Sequence, residues 1–301
     1  LYALLGAHFS NSRTSVSENS LVYFLLLRRT NKRKMTYKLI CSDIDGTLLD
    51  KNRELSDFTI QEIQRISPIP FVLISSRMPK AMRHLQSQLG NVGTPIIAYN
   101  GGLVLHKNQV LHSAFIDNAV LEIVIQLCEK TTIHLSLYHQ DEWFVPSMDF
   151  WANRESNNTK VSPIVKSSKS VLSQWKNEGK GAHKMMCMGD ETEIATLYKV
   201  LESSFTNEIT LYRSKPTYIE ISHCSVSKKT AIEVLLKNCY PTLSMKNIVA
   251  FGDNYNDIEM LKAVGLGVAV ANAIEEVQQI ADKITDTNKN NGVAKTIQEL
   301  F

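Results

Sequence analysis

Two short acidic segments each stand directly behind an apolar run. Asp43-Ile44-Asp45-Gly46-Thr47-Leu48-Leu49 follows Tyr37-Lys38-Leu39-Ile40-Cys41-Ser42, and Gly252-Asp253-Asn254-Tyr255-Asn256-Asp257 follows the run 247–251. Such runs read as buried strands. In extended chain, residues i and i+2 face the same side, so Asp43 and Asp45 point into one space, and Gly46 permits the sharp turn that comes next. A third polar cluster, Ser75-Ser76-Arg77, ends the run 69–74, and its hydroxyls and free N–H groups suit an anion. A turn or helix cap accounts for that cluster equally well. Capping also accounts for Asn256 or Asp257, but Asp253 lies too far before the next helix to cap it.

Asp43, Asp45, Asp253 and Asp257 would bring up to four negative charges into one crevice. Like charges at short range raise each other's pKa and destabilise the fold unless a cation intervenes. With oxygen ligands and no His or Cys beside them, the set favours Mg²⁺ over zinc. A calcium loop fits Asp43, Asp45 and Glu54 but fails where it needs a sharp-turn glycine, because Leu48 stands there. Lys228 or Lys229 precedes a helical pattern and supplies a cation. Carboxylates, Mg²⁺ and a lysine suit a phosphoryl group: one Asp attacks and another manages the proton.

The elements that must position these residues alternate. Apolar runs at 37–42, 69–74, 95–99, 247–251 and 266–270 read as strands buried on both faces. Helical patterns separate them: one opening at Ser56 as N-cap, one from Pro79 to Gly90, and others over 229–238, 256–264 and 273–281. This alternation predicts a doubly wound α/β sheet, with ligands bound beyond the carboxyl ends of its strands. Between 116 and 221 the pattern changes to helices at 118–130 and 191–202 among alternating segments at 133–137 and 217–221. An inserted domain follows: an antiparallel sheet with helices over one face. The domain boundaries expected are a core of 36–115 and 222–301, and an inserted α/β cap of 116–221.

Composition narrows the function classes. With 44% apolar and 21% charged residues, the chain is globular, not disordered, collagenous or membrane-spanning. Its basic excess sits in residues 1–34, where six Lys and Arg face Glu18 alone; the remainder is slightly acidic and offers no electrostatic case for nucleic acid. Five scattered cysteines without a Cys-x-x-Cys pair argue against disulfides and zinc and for a reducing cytoplasm. The apolar stretch Leu21-Val22-Tyr23-Phe24-Leu25-Leu26-Leu27 falls far short of the roughly 20 residues a membrane helix needs, and its basic cluster follows it, unlike a signal peptide. Residues 1–34 read as an upstream or non-native extension, with the functional protein starting at Met35; a partner-binding basic tail is the alternative. The sequon Asn157-Asn158-Thr159 is a chance triplet.

The set Asp43-x-Asp45-Gly46-Thr47, Ser75-Ser76-Arg77, Lys228 and Gly252-Asp253-x-x-Asn256-Asp257 resembles the four motifs of the haloacid dehalogenase superfamily. The wording is closest to the Cof-like sugar-phosphate phosphatases, whose α/β cap of the C2 (IIB) type is inserted after the third strand. The similarity spans about 36–301 and includes Asn100-Gly101-Gly102. It implies a Rossmann-like doubly wound parallel sheet with an inserted α+β cap. Asp43 would attack phosphorus and form an aspartyl-phosphate; Asp45 would protonate the leaving alkoxide and then activate water. Mg²⁺ would lie on the side chains of Asp43 and Asp253 and the carbonyl of Asp45. Asp257 would belong to the same metal site or orient Lys228. Ile44, Ser75, Ser76, Asn100, Gly101 and Asn256 would contact the phosphorylated substrate together with Lys228, which family register prefers to Lys229. Ser76 departs from the family's usual glycine, which lets backbone approach phosphate. In the cap, Tyr138, His139, Trp151 and Glu155 are candidates for substrate contact or for plain packing. The implied partner is a small phosphorylated metabolite, most simply a sugar phosphate, with flavin, pyridoxal and nucleotide phosphates open. A hexose phosphomutase and a non-catalytic phosphosugar sensor are the alternatives. A transporting ATPase is excluded by the lack of membrane helices. Oligomeric state is not legible.

Overall fold

A computed structural model of the chain describes residues 37–107 and 109–301. The expectation for residues 1–34 lies outside them. Among the described residues, no helix is long and apolar enough to cross a membrane.

The expected strands form where the apolar runs stand. β1 (Leu39–Asp43), β2 (Phe71–Ile74) and β3 (Ile96–Ala98) pair in parallel on one side; β12 (Ile248–Gly252), β13 (Leu266–Val270) and a short strand that no apolar run announced, β14 (Lys283–Thr285), extend the sheet in parallel on the other. Every residue of β1, β2, β3 and β12 is buried, as strands covered on both faces must be. The crossover helices include α1 (Asp57–Arg65), whose N-cap Ser56 accepts from Thr59 N–H, and α2 (Lys80–Leu89), which ends on Gly90 at φ 70. α7 (Lys228–Cys239), α8 (Ile258–Ala263), α9 (Glu275–Ile280) and α10 (Gly292–Leu300) follow the second sheet in sequence.

Two departures from the sequence reading matter for the site. The third strand stops at Ala98, and Tyr99 and Asn100 take left-handed conformations, φ 53 and 57. Asn tolerates that region and Tyr does not, so the kink is held from outside: Tyr99 N–H donates to the Arg77 carbonyl, and its hydroxyl donates to Gln140 O at 2.6 Å. The chain then turns back as an antiparallel hairpin, β4 (Leu103–His106) and β5 (Gln109–Ser113), which makes the sheet mixed at that edge.

The second sheet has six strands in the order β10-β11-β9-β6-β7-β8, antiparallel except for β7 with β8. They are β6 (His134–His139), β7 (Glu142–Val145), β8 (Ile164–Val165), β9 (Lys184–Met188), β10 (Ile209–Lys215) and β11 (Tyr218–His223). α3 (Asn118–Cys128), α5 (Ser168–Glu178) and α6 (Glu191–Ser204) share a hydrophobic core with one face of that sheet, through Leu135, Leu137, Met185, Cys187, Ile219 and Ile221. Strand alternation turns the intervening residues, Tyr138, Lys184, Met186, Tyr218 and Glu220, to the opposite face. α4 (Phe150–Thr159) lies on that side, its Ala152 buried with Tyr138 and Met186 in the larger core.

Candidate active site

β1 and β12 are parallel neighbours with Ser42 level with Phe251, so Asp43 and Asp253 leave the same edge side by side. Beyond Asp43 the chain coils back: Leu48 and Leu49 N–H both donate to the Ile44 carbonyl, and Thr47 Oγ1 donates to Asp253 Oδ1 at 2.8 Å. Gly46, at φ 85, lies so close that a Cβ there would fall 2.4 Å from Asp253 Oδ2. The glycine allows both the turn and the approach of the two acidic loops.

Lys228 opens α7 behind its N-cap Ser227, and it is buried. Its Nζ donates to Asp43 Oδ1 at 2.6 Å and to Asp257 Oδ1 at 2.5 Å. Lys229 points away and pairs with Glu233. Asp257, itself wholly buried, accepts the N–H groups of Asp253 and Asn254 on its other oxygen, at 2.9 and 3.0 Å. Asp257 thus fixes both the lysine and the Asp253 loop. Asn254 caps the short helical turn Tyr255–Asp257, and Asp257 holds the N-cap position of α8, one of the two the sequence offered, although its side chain makes no capping hydrogen bond there.

Three carboxylates, Asp43, Asp253 and Asp257, can bring one oxygen each within 4.8 Å of one another, against one ammonium. Burial pushes Asp43 well up despite Lys228, with Asp257 and Asp253 adding to the shift; burial and Asp257 push Asp253 up to about 6. Burial alone would lower Lys228, but Asp257 and Asp43 hold it well above its ordinary value. An excess of buried negative charge on oxygen donors fits a hard divalent cation.

The remaining sequence candidates divide. Asn256 Nδ2 donates to Asn100 Oδ1 at 3.0 Å, and both line a cavity of about 200 Å³ together with Asp43, Asp45, Asp253 and Ser76. Ser75 is buried beneath it, its Oγ accepting from Arg77 N–H and its carbonyl from Asn100 N–H. Ile44 is buried in the core, and Gly101 lies against α7, where a Cβ would meet the Ser227 carbonyl at 2.5 Å.

In the sequence Arg77 stands only as the end of a hydroxyl motif. Its buried guanidinium forks onto Asp45, Nε to Oδ2 and Nη2 to Oδ1, both at 2.7 Å. Burial would raise Asp45, but the hydrogen bonds and charge of Arg77, with Arg53 and Lys184 beyond, hold its carboxyl below the usual range. The cap closes the cavity from above with Arg154, Glu155, Lys184, Met186, Tyr218 and Glu220. Lys184 Nζ reaches the Ser76 carbonyl at 3.0 Å and ties cap to core. Of the four cap residues singled out by sequence, Glu155 lines the cavity. Tyr138 stacks on Trp143, His139 bonds the Gly181 carbonyl, and Trp151 packs edge-on against Tyr218.

A family model described as haloacid dehalogenase-like hydrolase matches residues 40–297, spanning both sheets. The chain belongs to that family. Within it this hydrolase has the Cof-like, subfamily IIB architecture, a mainly parallel core sheet with a mixed-sheet cap. It is 31% identical to a Haemophilus influenzae protein provisionally named a phosphatase, over 89% of this chain and 99% of that one. It is 28% identical to the 5-amino-6-(5-phospho-D-ribitylamino)uracil phosphatase YitU of Bacillus subtilis, over 87% and 97%. Among solved structures, a haloacid dehalogenase-like hydrolase from Bacteroides thetaiotaomicron superposes with a TM-score of 0.81 at 27% identity, covering 88% of this chain and 100% of that one.

Proposed function

We propose that this phosphatase of small phosphorylated metabolites takes sugar phosphates, works with Mg²⁺, and passes through a phosphoryl group carried on Asp43. The observation that carries the reading is Asp43 itself: a carboxylate on the cavity floor with Lys228 on one oxygen and the Asp253 carboxylate beside it. Its relatives' phosphatase names support the reaction class.

The side chains of Asp43 and Asp253 and the carbonyl of Asp45 would hold Mg²⁺, leaving Asp257 to fix Lys228. When bound, the ion offsets negative charge on the phosphoryl oxygens and on the carboxylates. An Asp43 oxygen attacks phosphorus as the ester P–O bond breaks, and the leaving oxygen takes its proton from the Asp45 carboxyl. Water then attacks phosphorus, Asp45 takes its proton, and the bond to Asp43 breaks to release phosphate. Asn256, on the cavity wall, and Lys228, bonded to Asp43, would hold the phosphoryl group. In the structure Asp45 is paired with Arg77, the ionised form that serves the second step; the acid form requires that pair to open.

Arg77 therefore tunes Asp45. Arg77→Gln removes the charge that lowers Asp45, so its pKa rises and the alkaline limb of the kcat/KM profile moves to higher pH. A limb that stays in place removes Arg77 from control of the proton.

Mg²⁺ should stabilise the fold in a pH-dependent way. Asp253 is raised from an ordinary 3.8 to about 6 in the folded chain, so its ionisation costs folding free energy, and that loss sets in between these values as pH rises. A cation bound there offsets the loss. In thermal melts, a hundredfold excess of Mg²⁺ over its Kd should contribute about 2–3 kcal/mol, a few degrees in Tm, near pH 7.5, and far less near pH 4.5. Equal shifts at both pH values contradict the metal assignment.

The reading is tested by inorganic phosphate release from p-nitrophenyl phosphate and a panel of sugar, flavin, pyridoxal and nucleotide phosphates, with Mg²⁺ or EDTA. Mg²⁺-dependent release, greatest on sugar phosphates, is expected. Isomerisation of a hexose phosphate without release would move the assignment to a mutase. Binding without turnover would move it to a sensor.

A further inference from the structure

The cavity walls are not evenly charged. On the core side Asp43 and Asp253 face a site for a cation, and Asp45 is met by the bidentate Arg77. Deeper in the cap wall, Lys184 acts against Glu155, whose carboxyl burial pushes up, with Glu220 and Asp45 adding to the rise. At Tyr218 the balance reverses. The Arg154 guanidinium lies 5.6 Å from the Tyr218 ring centre and the Lys215 ammonium 5.5 Å from it, so two cations share one ring. Among the described residues neither has a carboxylate within ion-pair distance. Burial, with repulsion from Arg154 and Arg53, pushes Lys215 below its ordinary pKa.

Arg53 comes from the core to join them. It sits at φ 62, a conformation unfavourable for arginine, in a turn tied by Asp50, which accepts Arg53 N–H at 3.1 Å through its carbonyl and Asn52 and Glu54 N–H through its side chain. Its single contact with Asp45, at 3.4 Å, is to a carboxylate whose charge Arg77 already meets.

The geometry points to a second anion subsite formed by Arg53, Arg154 and Lys215 on the leaving-group side of the cavity, so that the preferred substrate is a phosphoric monoester whose alcohol portion carries a further carboxylate or phosphate. This rests on the phosphatase reading of the same cavity. The phosphoryl end lies on Asp43, and the remote anion is held jointly by core and cap. A substrate with both groups draws the two together.

Two matched pairs test it: 6-phosphogluconate with glucose 6-phosphate, and fructose 1,6-bisphosphate with fructose 6-phosphate. Calorimetric binding to the Asp43→Asn protein with Mg²⁺ should favour the doubly anionic member of at least one pair by about tenfold or more, as charge-assisted contacts to several cations would. The responding pair tells carboxylate from phosphate. That ratio should fall to about one in Arg154→Gln/Lys215→Gln and shrink with added salt. Ratios near one for both pairs, or a ratio unmoved by the double variant, overturn the subsite. Hydrolysis by the wild-type protein is read separately. Turnover with ratios near one sinks the subsite alone, whereas a tenfold binding ratio that the double variant abolishes, without turnover, upholds the subsite and sinks the phosphatase reading.

Discussion

Asp43→Asn reduces phosphate release by about four orders of magnitude or more while leaving the protein folded. The amide keeps the shape of the carboxylate but cannot form the bond to phosphorus, and loss of a nucleophile is not made up by the groups around it. The fold does not suffer, because Asp43 is destabilised where it stands: burial and two neighbouring carboxylates raise its pKa even with Lys228 at 2.6 Å. Lys228 keeps Asp257 as a partner. Paired measurements of turnover and of the unfolding midpoint separate the two effects. Turnover within tenfold of wild type would remove Asp43 from the chemistry.

Lys228→Met carries the largest expected stability loss. It leaves Asp257, wholly buried, and Asp43, nearly so, without their shared cation. Removing one partner of a buried ion pair typically costs about 3–5 kcal/mol, because the other charge is left uncompensated. Asp257 cannot relax toward water, since its second oxygen holds the Asp253 and Asn254 N–H groups. Urea unfolding should show the midpoint falling with the slope unchanged. Adding Asp257→Asn to Lys228→Met should return part of the loss, since the amide keeps an acceptor for those N–H groups and removes the charge. A loss below about 1 kcal/mol would mean that Lys228 is not what holds these two carboxylates in the fold.

The acidic loops were legible because strand geometry is local. Asp43 and Asp253 each follow a run apolar enough to be buried, and a parallel sheet places such strand ends together. Ser56 and Gly90 carried the same kind of information for α1 and α2. The grip of Arg77 on Asp45 was not legible, since it joins loops 32 residues apart through side-chain directions that the spacing within either loop does not encode. The cap wall was half legible. The alternation Tyr218-Ile219-Glu220-Ile221 distinguishes a helix-covered face from a polar one, and Ile219 and Ile221 do lie in the cap's own core. That the polar face looks onto Asp43 is a property of how cap and core meet, which spacing within one strand cannot encode. Arg154 and Lys215 stayed hidden for the same reason. The antiparallel hairpin at 103–113 went unseen because its apolar residues, Leu103-Val104-Leu105 and Val110-Leu111, come as short runs separated by His106-Lys107 and backed by polar, partly exposed positions.

If Asp43 carries the phosphoryl group, the adduct can be trapped on it. The wild-type protein is mixed with Mg²⁺ and a substrate found in the phosphate-release panel, quenched in acid within one turnover, digested, and read by mass spectrometry. The peptide carrying Asp43 should gain one phosphoryl group, a gain absent from Asp43→Asn. Turnover at full rate with that peptide unmodified at every quench time, or with the phosphoryl group on another residue, would contradict that role of Asp43.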